Sequence, residues 1–195
     1  AGTLDDPGDR KILGNSLASL QYGLTFSFDW LGFDVSAFFQ GTGNHYWYPA
    51  GMNYAFWGPY SYSYVSFIPR DFYTKMCWSE EHPDAYFPRP RAYSSTGGEL
   101  SKVNSRYLQN LRYLRFKNLT VGYTIPESLT KKIRVDHIRV YFSGENLCYW
   151  SPLKKVTKYL DPESAYTRYS TSANARDHYA YPWQKTYMFG IDITF

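Results

Sequence analysis

Residues 22–30 read Tyr-Gly-Leu-Thr-Phe-Ser-Phe-Asp-Trp, with an apolar or aromatic side chain at every second position. In an extended strand, successive side chains point to opposite faces of the sheet. The period of two therefore places five large side chains on one face: Tyr22, Leu24, Phe26, Phe28 and Trp30. The stretch predicts a β-strand of about ten residues with one apolar face.

The same alternation recurs along the chain and predicts five strands. A tight turn at Leu31-Gly32 joins the first run to the second, so the two are expected to form an antiparallel hairpin. The strands are expected at about residues 22–31, 33–41, 111–125, 137–149 and 184–195.

Composition narrows the class of protein to two. Among 195 residues, 21% are aromatic and 19% are charged, and the mean hydropathy is −0.50. So much aromatic surface excludes a disordered chain, and no stretch approaches the roughly 18 apolar residues of a membrane-spanning helix. Two classes are aromatic yet hydrophilic on average. One is a soluble, tyrosine-rich β-sandwich that binds carbohydrate, and the other is a transmembrane β-barrel, where only alternate residues are apolar.

The lengths of the connections favour the barrel. They are short at residues 31–33 and 126–136, and long at about 42–109 and 150–183. Short turns on one side and long loops on the other are typical of outer-membrane barrels. The sequence thus predicts an all-β fold, a transmembrane antiparallel β-barrel segment. Five strands cannot close a barrel, so we expect further strands elsewhere in the protein.

One phase change interrupts the pattern. Leu114 and Phe116 fall on the polar parity of the third strand, whose apolar positions are Leu119, Val121 and Tyr123. This indicates either a β-bulge or a part of the strand that projects beyond the membrane, where alternation is relaxed.

Four stretches carry a family resemblance and span nearly the whole chain. They are residues 22–24 with 32–41 (GFDVSAFFQG), 113–126 (YLRFKNLTVGYTIP), 139–147 (RVYFSGENL), and 181–182 with 185–195. Asp161-Pro162-Glu163 also looks like a loop motif of the same family. Together these stretches resemble the C-terminal portion of SusC/RagA-family TonB-dependent transporters of Bacteroidota outer membranes.

The resemblance implies a 22-stranded barrel of which these are the last five strands. The plug domain and TonB box would lie outside residues 1–195. The protein would sit in the outer membrane of a Gram-negative bacterium with its C-terminus in the periplasm. Expected partners are a SusD-type surface lipoprotein, TonB through the N-terminal part, the rest of the barrel, outer-membrane lipid, and an oligosaccharide or peptide as cargo.

Two sets of side chains are candidate functional residues. The first is aromatic and lies in the long loop: Tyr46, Trp47, Tyr48, Trp57 and Tyr60. These could stack on cargo or contact the lipoprotein, or they could pack the loop on itself. The second set is the alternating C-terminal pattern, which resembles the signal read by the barrel-assembly machinery: Tyr187, Phe189, Ile191, Ile193 and Phe195.

Other functions find little support in the sequence. No GxSxG, HExxH or metal-ligand spacing occurs, so we expect neither an enzyme nor a cofactor or metal site. The basic group Lys131, Lys132 and Arg134 is too short for nucleic-acid binding and predicts a solvated turn. Cys77 and Cys148 could form a disulfide or remain two free thiols. Asp29, Asp34 and Asp192 are expected to face the lumen near the periplasmic end.

Deletion of Phe195 from the full-length protein should lower the amount of assembled barrel in the outer membrane, because the terminal aromatic completes the assembly signal. The heat-modifiable band on a gel measures assembled barrel. An unchanged band would reject the role of Phe195.

Overall fold

The alternating stretches build one antiparallel sheet. A computed structural model describes residues 8, 10–62, 68, 70–165 and 183–195. Its main sheet has the order β1-β2-β5-β6-β7. The strands are β1 (Gln21–Trp30), β2 (Phe33–Thr42), β5 (Tyr113–Thr124), β6 (His137–Trp150) and β7 (Thr186–Thr194), and a two-stranded sheet pairs β3 (Tyr46–Trp47) with β4 (Gln109–Asn110). The main strands lie within about two residues of the predicted bounds.

The register of the sheet places the predicted apolar residues on one face. Trp30 pairs with Phe33, which pairs with Tyr123, then Val140, then Ile191, so one row crosses all five strands. Paired residues of neighbouring strands point to the same side of a sheet. This apolar face is largely uncovered in the isolated chain, where 83% of Phe189 is exposed. The opposite, polar face carries most of the charged side chains of the sheet.

The two ends of the sheet differ. At one end, here called the short-turn end, β1 joins β2 through Leu31 and Gly32, whose φ angles are 46° and 86°. Positive φ at both central residues matches the type I′ turn that joins twisted antiparallel strands. A Cβ atom on Gly32 would lie 2.8 Å from the Thr124 carbonyl oxygen. The opposite end, where β2 leads into residue 43 and β6 into residue 151, is the long-loop end.

The phase change in β5 is a β-bulge. Between β2 and β5 the pairing passes from Phe38–Asn118 directly to Phe39–Phe116, which leaves Lys117 unpaired. Phe39 stacks on Phe116 with ring centroids 4.5 Å apart. One extra residue moves every following side chain to the other face. The bulge therefore returns Leu114 and Phe116 to the apolar face. Of the two explanations predicted for the phase change, the β-bulge is confirmed.

The next strand adjusts at the same level. Opposite the bulge of β5, β6 passes from Glu145 to Cys148, and Asn146 adopts a positive φ of 51°. Asparagine tolerates this left-handed conformation better than most residues. The irregularity therefore propagates across the sheet instead of breaking the pairing.

The long connection between β2 and β5 is a folded module rather than an irregular loop. Besides β3 and β4 it contains α1 (Tyr54–Trp57), 3₁₀ turns at Gly58–Tyr60 and Glu99–Ser101, and a π turn at Phe72–Met76. The connection between β6 and β7 adds a 3₁₀ turn at Pro152–Lys155. We call the described residues within 43–112 and 151–165 the loop module.

Aromatic side chains form the core of the loop module. The ring of Phe87 lies 5.5 Å from Phe56, 5.6 Å from Tyr60 and 5.9 Å from Tyr107, measured between ring centroids. Leu153, from the second long connection, is buried in the same cluster. Large aromatic surfaces are efficient core material. The described parts of the two long connections thus form one packed body beside the long-loop end of the sheet.

The turn between β5 and β6 is also helical. It consists of α2 (Glu127–Thr130) followed by a 3₁₀ turn at Lys131–Ile133. Within the residues that the structure describes, no helix is both long and apolar enough to cross a membrane. The sequence motif at Tyr181-Pro182 lies outside the described residues.

Replacing Phe87 by alanine should destabilise the loop module by about 3–5 kcal/mol, the usual cost of removing a buried aromatic ring. Digestion of the folded protein by a dilute protease would detect the loss as faster cleavage within residues 43–112. The matched control is Tyr73→Ala, because 54% of Tyr73 is exposed. Equal cleavage of the two variants would contradict the assignment of Phe87 to the core.

Candidate functional site

Two of the five candidate aromatics are enclosed in the loop module. Trp57 and Tyr60 have no exposed surface. The Trp57 indole nitrogen donates a hydrogen bond of 3.1 Å to the Pro49 carbonyl oxygen, and the Tyr60 hydroxyl donates to the Pro88 carbonyl. Burial raises the pKa of Tyr60 far above its usual range, so its hydroxyl stays protonated. In this structure both side chains pack the loop on itself.

The other three candidates remain partly exposed. Tyr46 and Trp47 form β3, and Tyr48 follows it. The Tyr48 hydroxyl donates to the Leu100 carbonyl oxygen at 2.8 Å and accepts from the Asn104 amide at 3.0 Å. Burial raises the pKa of Tyr48 to about 12, which keeps this donor in place. Contact of these three residues with cargo or with a lid protein stays a prediction.

A cavity opens on the polar face beside the loop module. Its volume is about 870 Å³, and it lies between the long-loop ends of β1 and β2, the loop module and residues 17–18. Part of the wall carries polar or charged side chains: Gln21, Gln40, Thr42, His45, Tyr113 and Glu163. Amide, hydroxyl and imidazole groups offer hydrogen bonds to a polar ligand without supplying a strong nucleophile.

Glu163, which lines this cavity, belongs to a buried ion-pair cluster. Arg115 of β5 has a side chain that is only 2% exposed, and its Nη2 lies 2.5 Å from Oδ2 of Asp161. Its Nε lies 2.9 Å from Oε2 of Glu163. The guanidinium also lies over the Tyr149 ring, 4.8 Å from the centroid. Two carboxylates and an aromatic face together surround one buried cation.

Lys117, the bulge residue, adds a second cation to the cluster. Its Nζ lies 2.9 Å from Oε1 of Glu163 and 4.5 Å from the centroid of the Trp183 ring. Asp161 and Glu163 belong to a tight turn, in which Asp161 Oδ1 accepts a 2.9 Å hydrogen bond from the Glu163 amide. We call Arg115, Lys117, Asp161 and Glu163 the latch, because they join the loop module to the wall of the sheet.

The latch is the feature that sequence reasoning missed. The sequence indicates a loop motif at Asp161-Pro162-Glu163, but its ion-pair partners lie 46 residues away along the chain. A usable signal existed. Arg115 shares the parity of Leu119 and Val121, so without a bulge its charge would face the apolar side, which is costly. A charge at that position therefore favours a bulge that turns it to the polar face.

A second ion-pair group lies on the polar face at the short-turn end. Arg139 of β6 binds Asp34 of β2 with Nη2–Oδ2 and Nε–Oδ1 distances of 2.6 and 2.9 Å. Its Nη1 lies 3.3 Å from Asp192 of β7. The pair passes over Gly122 of β5, where a Cβ atom would come within 2.3 Å of Asp34 Oδ1. Asp34 and Asp192 share the polar face, as predicted.

The remaining candidate groups are the two cysteines and the potential metal ligands. Cys77 and Cys148 are both free thiols. Burial raises the pKa of the Cys77 thiol, which lowers its reactivity. No group of three or more potential metal ligands occurs among the residues described.

Comparison with known proteins shows which proteins the chain is similar to. No family model matches the sequence. Two curated relatives are TonB-dependent receptors of Formosa agariphila. Receptor P26 is 26% identical over 195 residues, and receptor P3 is 28% identical over 192 residues. In both cases 96% of this chain is covered, but only 18% and 17% of the relative.

Solved structures of a related fold are also similar to the chain. A chain of the RagAB peptide importer matches in the closed-closed state with a TM-score of 0.63 and 20% identity, over 95% of this chain and 18% of that chain. The open-open state matches with a TM-score of 0.62. The resemblance to SusC/RagA-type TonB-dependent transporters is therefore confirmed, and the fold of the open five-stranded sheet matches part of a RagAB chain. The chain spans less than a fifth of the length of the relatives it matches.

Replacing Arg115 by methionine should destabilise the full-length protein by about 3–5 kcal/mol, because Asp161 and Glu163 would lose the buried cation between them. Urea unfolding in detergent micelles, followed by tryptophan fluorescence, measures the loss.

The control for this experiment is Lys131→Met. It breaks an exposed ion pair with Glu127 and should leave the free energy of unfolding nearly unchanged, because solvent screens such a pair. If the two substitutions had equal effects, the latch would contribute no more than a surface ion pair.

Proposed function

We propose that the chain is the last part of the barrel of an outer-membrane, TonB-dependent importer of large nutrients. The observation that carries the proposal is the division of one sheet into an apolar and a polar face. It is combined with similarity to TonB-dependent receptors over 96% of the chain. An apolar outer face meets lipid, and a polar inner face lines a lumen.

The open edges of the sheet support a larger assembly. β1 and β7 are the edge strands, and each pairs with a neighbour on one side only. Unpaired backbone groups in lipid cost several kcal/mol each, so the proposal requires further strands beside both edges. These strands belong to the part of the barrel that the chain, at 18% of its relative's length, does not span.

The proposed orientation has the long-loop end outside the cell and the C-terminus in the periplasm. In this orientation the loop module stands at the extracellular mouth, with the 870 Å³ cavity facing the lumen below it. A SusD-type surface lipoprotein would then contact the loop module, and the exposed parts of Tyr46, Trp47 and Tyr48 are the proposed contact residues. TonB would act through the N-terminal part of the protein.

The proposed cargo is an oligosaccharide or a peptide. The structural relatives are described as a peptide importer, and the cavity wall offers amide and hydroxyl groups that suit either ligand. Catalysis is not part of the proposed function, since the curated relatives are receptors.

The soluble β-sandwich is the rival function. A sandwich needs a second sheet packed about 10 Å above the apolar face of the first. In the described part of the chain the other sheet is the two-stranded β3–β4 pair, and the apolar face stays exposed. The proposed barrel explains that exposure, because lipid would cover the face.

A comparison of Trp47→Ala with Trp57→Ala in the full-length protein tests the proposal. Both proteins should fractionate with the outer membrane and require detergent for extraction. Trp57→Ala should lower uptake of labelled oligosaccharides or peptides and co-purification of the lipoprotein, because it removes part of the loop-module core. Trp47→Ala should weaken the lipoprotein contact while the heat-modifiable band stays unchanged.

Extraction of the wild-type protein without detergent would contradict the barrel and favour the sandwich. Normal uptake and lipoprotein co-purification in both variants would leave the aromatics a structural role only.

A further inference from the structure

The helical turn between β5 and β6 is an ordered part of the short-turn end. Thr130 and Val135 are buried, and the Val135 amide donates a 3.2 Å hydrogen bond to the Thr130 carbonyl oxygen. The Asp136 amide donates 2.9 Å to the Thr194 carbonyl oxygen of β7. The turn is therefore fixed against the sheet rather than extended into solvent.

Two large aliphatic side chains of this turn are nevertheless exposed. Leu129 is 54% exposed and Ile133 is 63% exposed. Residues four positions apart on a helical turn lie side by side. An aliphatic pair beside basic residues is the composition of a segment that rests in the interface of a membrane.

Two basic side chains of the turn are available to a ligand. Lys131 is paired with Glu127 at 2.6 Å. Lys132 and Arg134 are exposed, and the structure gives them no carboxylate partner among the residues it describes. Arg134 has a φ of 58°, a left-handed conformation that ends the 3₁₀ turn.

A groove on the apolar face begins close to the turn. Its volume is about 530 Å³. The small residues Val121 and Val140 line it together with two aromatic pairs, Phe33–Tyr123 at 4.5 Å and Phe142–Phe189 at 5.1 Å between ring centroids. Tyr123 precedes Pro126 by three residues, about 10 Å along a strand. The groove therefore begins about 10 Å, measured along β5, from the residue at which the basic turn starts, and it lies on the apolar face of the sheet.

We propose that this end of the sheet binds an anionic phospholipid. Lys132 and Arg134 hold the headgroup phosphate, Leu129 and Ile133 enter the interface, and an acyl chain lies in the groove over Val121 and Val140. The site deepens the proposed function and rests on it, because it requires the apolar face to meet lipid. Charge complementarity selects the occupant, since basic residues beside an apolar groove suit an anionic lipid.

The experiment uses the full-length protein, delipidated in detergent and then incubated with mixed micelles of phosphatidylglycerol or of phosphatidylcholine. Native mass spectrometry counts the lipids that stay bound. The wild-type protein should retain phosphatidylglycerol in preference to phosphatidylcholine. The double variant Lys132→Gln with Arg134→Asn should retain it about 25-fold less strongly, at about fivefold per basic residue. Asparagine is chosen because it tolerates the left-handed backbone.

Two further variants complete the test. Lys102→Gln with Arg112→Gln removes two exposed basic residues from the loop module and should leave retention unchanged. Val140→Phe narrows the groove and should lower retention of both lipids while the basic residues remain. Higher salt should weaken the phosphatidylglycerol preference of the wild-type protein, a measurement that needs no variant.

Equal retention of the two lipids by the wild-type protein would overturn the site. Retention of phosphatidylglycerol by the Lys132→Gln, Arg134→Asn variant at the wild-type level would overturn it as well. A heat-modifiable band in the same samples reports the barrel separately. Loss of the band in the wild-type protein would count against the proposed function, whereas an intact band with no lipid preference would count against the lipid site alone.

Discussion

The two-residue alternation of the sheet, whose phase shifts at Lys117 in β5, is the constraint on which the rest of the structure depends. Side chains of a strand have only two faces available, and each extra residue exchanges them. By inserting Lys117, β5 keeps Leu114 and Phe116 on the apolar face and brings Arg115 to the polar one. The same insertion positions Arg115 for the latch with Asp161 and Glu163. Apolar surface and buried charge are thus separated by a single backbone irregularity.

One kind of interaction holds the loop module together, and a different kind joins it to the sheet. Inside the module, aromatic rings packed around Phe87 bury apolar surface. Between module and sheet, the latch uses charged groups whose burial is tolerated because each has a close partner. Packing tolerates small rearrangements, whereas a buried ion pair fixes one geometry. This division keeps the module at a defined place above the cavity.

The strands could be predicted from the sequence because their signal is local. Five apolar residues at alternate positions, as from Tyr22 to Trp30, match the period of a strand and do not match the period of a helix. The bulge was visible as a phase change at Leu114 and Phe116. The core of the loop module was not predictable, since Phe87 and Leu153 lie far apart in the chain and show no period. For the same reason the burial of Trp57 and Tyr60 emerged only from the structure, and Arg115 could not be paired with Asp161.

A nitroxide scan along β5 tests the central claim most directly. Single cysteine replacements from residue 113 to residue 124, spin-labelled in the full-length protein reconstituted into lipid, report access to oxygen dissolved in the bilayer. Oxygen access should be high at positions 119, 121 and 123, then shift phase at the bulge and be high at 116 and 114. High oxygen access at every odd-numbered position, including 117 and 115, would contradict the account. Equal oxygen access at all positions would contradict it too.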